Sequence, residues 1–200
     1  MKLVSIVGMG ALLLVALGAQ GGTPEDLARQ WCADCHNVKG NSTSPLFPRI
    51  AGQQHDYLLA QLKAFRDQSR SDPDAHDYMW GMSGRLDDAT LEGLATFYAA
   101  QKPLPNPATS DPALAKAGEQ LFLNGNSDKG TPACQACHGA HAEGTSIAPR
   151  LAGQHAAYLT KQLHVFTGQG RPSAVAMHAI IQTLNEQDIQ SLAAYLQQLP

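Results

Sequence analysis

Two pentapeptides concentrate the reactive side chains of this chain: Cys32-Ala33-Asp34-Cys35-His36 and Cys134-Gln135-Ala136-Cys137-His138. Cys-x-x-Cys-His is the spacing of covalent haem attachment. Two thiols can add across the two vinyl groups, and the adjacent imidazole can supply an axial nitrogen to iron. The two runs use all four cysteines. A single zinc ribbon would set its Cys pairs about 15–20 residues apart, whereas Cys35 and Cys134 stand 99 positions apart. A redox dithiol gives no reason for a histidine after both second cysteines. The expectation is two covalently bound haem c groups.

An iron with one histidine has a second axial position, open to methionine, histidine or water. Beyond the first 22 residues the methionines are Met79, Met82 and Met177. An internal duplication separates them. Pro48-Arg49-Ile50-Ala51-Gly52-Gln53 returns as Pro149-Arg150-Leu151-Ala152-Gly153-Gln154. Tyr57, Leu58, Gln61, Leu62 and Phe65 return 101 positions later as Tyr158, Leu159, Gln162, Leu163 and Phe166. Further on the offset is 98: Leu86 matches Leu184, Leu91 matches Ile189, and Phe97 matches Tyr195. The change implies a short deletion in the second half, between Arg171 and Met177. Met79 and Met177 each lie seven residues before the matched leucine, while Met82 aligns with Ile180. Met79 and Met177 are therefore the expected axial partners of His36 and His138, and Met82 a core or haem-wall residue. Thioether sulfur favours ferrous iron and raises the potential. Two filled axial positions suit an electron carrier better than an oxygen or peroxide catalyst.

Arg49 and Arg150 also recur, and a guanidinium can meet a partly buried carboxylate such as a haem propionate in bidentate fashion. They are candidate propionate contacts, with Gln53 and Gln154 as weaker ones. Trp31 and Trp80 flank a haem cysteine and Met79, and are candidates for packing on the ring. The remaining histidines, His55, His76, His141, His155, His164 and His178, do not recur in sequence and read as surface or structural groups. His178, beside Met177, is the least improbable spare ligand.

The elements that must carry these residues read as helical. Leu58, Leu62 and Phe65 fall at i, i+4, i+7, as do Leu159, Leu163 and Phe166, giving one apolar face in each half. A last helix follows Asp87 in one half and Asn185 in the other, both candidate N-caps. An opening helix leads into each haem motif, over 24–31 and 112–122. No sustained alternation of period two marks a strand. The second half adds a Gly/Asn-rich loop over 124–132. The join, Lys102-Pro103-Leu104-Pro105-Asn106-Pro107, cannot be helix or central strand, because proline fixes φ and lacks a donor. It reads as a semi-rigid linker. The expected layout is a first domain over 23–102, a linker over 103–110 and a second domain over 111–200.

Residues 1–22 have a basic start, an apolar run and small residues at the exit, the pattern of a secretory signal peptide. An uncleaved membrane anchor is the alternative, although the run falls short of the ~20 apolar residues a span needs. Export to the periplasm is expected, with membrane association left open. No Lys/Arg run or basic patch points to nucleic acid. Residues 24–102 carry eight Lys/Arg and eleven Asp/Glu, and residues 103–200 carry five and six. The first half is therefore the more acidic, which would steer a partner with a basic patch towards it.

With these residues in hand, the chain resembles the dihaem cytochromes c4 of bacteria. The likeness spans both Cys-x-x-Cys-His runs, both Pro-Arg-x-Ala-Gly-Gln runs, Met79-x-Gly-Met82 before Leu86, Asp111-Pro112-Ala113-Leu114-Ala115-Lys116, and Gly153-Gln154-His155. It implies an all-α fold of two tandem class I cytochrome c domains related by a pseudo-twofold, with His/Met ligation at both irons. It further implies electron relay in a respiratory chain, from a quinol- or dehydrogenase-linked donor towards a terminal oxidase. A haem-bearing subunit of a larger dehydrogenase or oxidase complex is the main alternative. A dihaem peroxidase fits less well, since it needs one open haem face, and a redox sensor lacks an output module. The acidic, aromatic segment Asp72 to Tyr78 departs from the family pattern and is expected to tune partner docking.

Overall fold

The structure, a computed structural model, describes residues 22–200. The predicted signal segment, residues 1–22, therefore lies almost wholly outside the described residues. The first half opens with α1 (Pro24–Leu27), passes through a π-helical turn at Ala28–Cys32, and ends in α2 (Ala33–His36). It continues with α3 (His55–Arg66), a π-turn at Ala75–Met79, α4 (Trp80–Ser83) and α5 (Asp88–Ala99). The second half has α6 (Pro112–Asn124), α7 (Gln135–His138), α8 (Ala156–Val165), α9 (Val175–Ile181) and α10 (Glu186–Gln198). Among the described residues no strand forms beyond one isolated bridge, Asn126 to Thr131. That bridge closes the Gly/Asn-rich loop.

Local chemistry explains the boundaries. Thr23 and Asp26 make a reciprocal capping box ahead of Pro24, and Asp111 accepts from the N–H groups of Ala113 and Leu114 ahead of Pro112. Proline suits the first helical position because its missing donor would be unpaired there. Asp87 accepts from Thr90 N–H, and Asn185 forms a capping box with Asp188. Both predicted caps therefore start the last helices, each satisfying a donor the helix cannot.

Each half folds around its own crossing of first and last helices. In the second, α6 meets α10 with Phe122 and Leu192 buried and Phe122 tilted on Tyr195 at 5.6 Å. The helices approach closely because position 118 is glycine. A Cβ there would lie 1.9 Å from the Ser191 carbonyl oxygen. In the first, Leu94, Ala95 and Tyr98 of α5 pack on Ala28 and Leu58.

The recurring Ala-Gly-Gln turn is tied to the last helix in both halves. Gly52 N–H donates to Tyr98 O at 3.0 Å, and Gly153 N–H donates to Leu196 O at 2.9 Å. Both glycines have positive φ, 62° and 71°, which explains why glycine holds these positions.

Residues 102–111 form no regular element. The Asn41 carboxamide clamps this linker, donating to Lys102 O and accepting from Leu104 N–H. Asn106 donates to Gly153 O on the other side.

Candidate functional site

Both haem motifs end in a short helix that hands its histidine to a fixed carbonyl. His36 Nδ1 lies 2.9 Å from Pro48 O, and His138 Nδ1 lies 2.8 Å from Pro149 O. A carbonyl can only accept, so each Nδ1 carries the proton and each Nε2 presents a lone pair. A bond of this kind, from the ring nitrogen that faces away from the metal, fixes tautomer and ring direction in a metal-ligating histidine. Burial lowers the basicity of both rings, opposed by those carbonyl bonds. Both therefore stay neutral, the form that can bind iron. The loop that supplies the carbonyl is held in turn. Ile50 and Ala51 N–H both donate to Gly40 O, and Leu151 and Ala152 N–H both donate to Ala142 O.

None of the four cysteines is paired in a disulfide. Burial raises the Cys32 thiol, and raises Cys134 to about 11.

The fit to haem c can be tested on the apolar surface. Leu46 and Ile147 are 64% and 78% exposed. They occupy the same place in the two repeats, two residues before the carbonyl that holds the histidine. Repeated exposed aliphatic groups beside a neutral histidine and two thiols suit an apolar macrocycle that would cover them. The residues present fit the group: Cys32, Cys35 and His36 would hold one haem, and Cys134, Cys137 and His138 the other.

Met79 closes the π-turn before α4, and Met177 lies in α9; both are half-buried. Met177 packs against the cluster of Phe166, Ile181 and Ile189. Met82 is at the surface, 36% exposed, so it is not a core residue. In the first half, aromatic contacts lead from His36 through Phe47 (6.4 Å) to Tyr78 (5.5 Å), next to Met79. Alanines stand at the corresponding positions of the second half, 148 and 176.

The structure gives several predicted residues other partners. Gln53 and Gln154 do not stand free for a propionate. Gln53 donates from Nε2 to Arg150 O at 3.0 Å and accepts from Arg150 N–H at 2.8 Å. Gln154 does the same to Arg49, at 2.8 and 2.9 Å. These reciprocal bonds join the two halves about a pseudo-twofold. Arg49 donates to Ser42 O, Asn41 Oδ1 and Leu104 O, and Arg150 donates to Pro200 O. Both are half-buried, and burial lowers both from ordinary arginine, with each other's charge adding to the effect at Arg49. Neither forms an ion pair among the described residues. Trp31 is 57% exposed. Trp80 packs edge-on against His76 at 4.8 Å and donates its indole N–H to Arg70 O at 2.8 Å. His178 is no spare ligand, because its ring nitrogens lie 2.7 Å from Phe166 O and 3.0 Å from Arg171 O. His155 is buried and bridges Ser42 O and Asn106.

The two leading carboxylates of the acidic segment have partners within the molecule. Asp72 is buried and accepts from Arg70 Nε at 2.7 Å. Asp74 pairs with Lys161 of the other half at 2.9 Å. Ser71 N–H donates to Gly170 O. Asp74 thus helps dock the two halves to each other, while His76, Asp77 and Tyr78 stay exposed.

Sequence reading missed the buried pair Arg70 and Arg171, which also lie 101 apart. The offset that matched Gln61 to Gln162 would have found them. It stopped short because the deletion begins just beyond Arg171.

Two neutral histidines with free Nε2, two pairs of cysteines outside any disulfide and two helical domains define a tandem dihaem c-type cytochrome, which carries electrons. The cytochrome c family profile matches residues 25–100 and again 115–200. The chain is 40% identical over 180 residues to cytochrome c4 of Stutzerimonas stutzeri, covering 84% of each. It is 33% identical over 205 residues to the thiosulfate dehydrogenase electron acceptor of Thiomonas intermedia, covering 100% of this chain and 91% of that one. The solved cytochrome c4 of Acidithiobacillus ferrooxidans superposes with a TM-score of 0.78 at 37% identity, covering 84% of this chain and 98% of that one. The chain belongs to the cytochrome c family and, within it, to the dihaem cytochromes c4.

Proposed function

We propose that this chain relays single electrons between redox proteins in the bacterial periplasm, on a respiratory route towards a terminal oxidase, without catalysing bond chemistry itself. The observation that carries this reading is the twofold site. Each domain offers one neutral histidine fixed by a proline carbonyl and one half-buried methionine at a repeat-equivalent position. Haem c, when bound, supplies a one-electron iron couple whose potential is raised by a thioether ligand. His36 and His138 bind through Nε2, and the Pro48 and Pro149 carbonyls keep those rings from turning. Met79 and Met177 would supply the second protein ligand to each iron, leaving no position for water or peroxide. Arg49 and Arg150, neither in an ion pair among the described residues, would offer positive charge to the propionates. No helix among the described residues is long and apolar enough to cross a membrane.

The test is a spectroelectrochemical titration of the dihaem protein with Met79 and Met177 replaced singly by His. Each change is expected to remove one share of the near-infrared thioether-to-ferric-iron band and to lower one potential. An unchanged band in both variants would refute the ligand assignment.

A second reading has specific support in the full-length likeness to a protein named as a thiosulfate dehydrogenase electron acceptor. Here the chain would take electrons from a dehydrogenase, as partner or subunit. Stopped-flow reduction by a thiosulfate dehydrogenase with thiosulfate tests it, and reduction slower than turnover would sink it. In either case the acidic first half would attract a partner with a basic patch, giving rates that fall with added salt.

A further inference from the structure

Trp80 and His178 each follow an axial-methionine position by one residue, and both rings reach a buried arginine's carbonyl. The Trp80 indole N–H donates to Arg70 O at 2.8 Å. The His178 ring sits between two carbonyls, Nε2 3.0 Å from Arg171 O and Nδ1 2.7 Å from Phe166 O, and a neutral ring donates to one of them. Arg70 and Arg171 are 6% and 7% exposed. Their guanidinium groups lie over Phe65 and Phe166, both at 4.7 Å. Both methionine segments therefore place a ring against the corresponding arginine's carbonyl, although one uses tryptophan and the other histidine.

The arginine contacts cross between the domains. Gln61 Oε1 accepts from Arg70 at 2.8 Å and from Arg171 at 3.2 Å. Gln162 Oε1 accepts from Arg171 at 2.8 Å and from Arg70 at 2.9 Å. Two arginines and two glutamines form a closed ring, and Tyr57 adds its hydroxyl to Arg171 at 2.8 Å. The ring is uneven. Arg70 also has Asp72 at 2.7 Å, whereas residues 171–177 contain no acid. Within its own half, Arg70 is held by a carboxylate and a glutamine, and Arg171 by one glutamine.

We propose that Arg70 and Arg171 are positioning residues for the axial methionines, held by the opposite domain, so that coordination at each iron depends on the domains staying docked. The domain-two iron depends on it more, because Arg171 draws most of its side-chain bonds from Tyr57 and Gln61 of domain one. This inference rests on Met79 and Met177 being ligands.

The experiment titrates the full dihaem protein with imidazole, which competes with methionine for ferric iron, and follows the near-infrared thioether band. Met79→Ala and Met177→Ala identify which iron responds. Losing a hydrogen bond to a charged group corresponds to at least about a tenfold change. Gln61→Ala, a change confined to domain one, is expected to tighten imidazole at the domain-two iron by about that factor. Arg171→Gln and His178→Phe should act on the same iron, and Trp80→Phe on the domain-one iron. Arg171→Lys should restore part of the lost protection. If Met177→Ala leaves the band intact, the ligand assignment fails. If Met177→Ala removes its share, but Gln61→Ala and His178→Phe bind imidazole with wild-type affinity at the domain-two iron, the positioning role is overturned. Those two variants carry the decision should Arg171→Gln not fold.

Discussion

Gln53→Ala is the sharpest probe of how the two domains are joined. The Gln53 carboxamide donates to Arg150 O, accepts from Arg150 N–H, and accepts from Gln54 N–H at 3.0 Å. Truncation leaves three backbone groups without partners. A fully buried orphan costs about 1–3 kcal/mol, and a typical net bond is worth about 1 kcal/mol. Arg150 is half-buried, so water can reach part of what is freed, which places each loss near the lower figure. The expected destabilisation is about 2–3 kcal/mol. Gln154→Ala should match it, since Arg49 and His155 lose the same three kinds of bond. Urea unfolding of the ferric protein, followed at the haem and by tryptophan fluorescence, gives the difference. A propionate role for Gln53 predicts something else, namely shifted reduction potentials at unchanged stability. A loss below about 0.5 kcal/mol, the range of ordinary surface changes, would refute the interface reasoning.

Three further outcomes follow from the packing and the charges. Asp72→Asn removes the one carboxylate paired with Arg70 among the described residues, and breaking a buried pair from one side costs about 3–5 kcal/mol. Asparagine keeps the shape and one acceptor, so a loss near 3 kcal/mol is expected by the same unfolding assay. Gly118→Ala places a Cβ where Ser191 O already lies, forcing α6 and α10 apart. Thermal unfolding should show a loss of at least about 1–3 kcal/mol, the usual cost of overpacking. At His155, burial lowers the imidazole from 6.5, the Ser42 carbonyl bond opposes this, and Arg49 adds to the lowering. The folded ring thus binds its proton less readily than the unfolded one, so stability is full above about pH 6.5 and falls as the pH drops below it. Comparing urea midpoints at pH 7.5 and 5 should show a smaller difference in His155→Gln than in the parent.

The haem motifs, the duplication and the helical character were legible in the sequence because each rests on short spacing. Cys32, Cys35 and His36 occupy adjacent turns, and Asp87 and Asn185 cap the helices that directly follow them. Fixed offsets also carried the equivalence of Met79 and Met177, a comparison made within one chain. The same comparison failed where sequence and geometry part. Trp80 and His178 share no chemistry as letters, yet both reach an arginine carbonyl. Arg70 was hidden because a three-residue length difference begins just after its counterpart.

Sequence by itself therefore determined the chemistry of this protein: two thiol pairs, two histidines and two helical repeats to carry them. Only the tertiary structure decided how those repeats meet. Gln53 and Gln154 read as candidates for a cofactor carboxylate, but they bond to backbone 97 and 105 residues away. Asp74 reads as part of a segment that tunes partner docking, and it also pairs with Lys161, 87 residues away. A side chain's type states what it can bond, and local spacing fixes neighbours within a turn or two. Which distant group it meets depends on how two separately formed cores pack, and no short-range pattern records that.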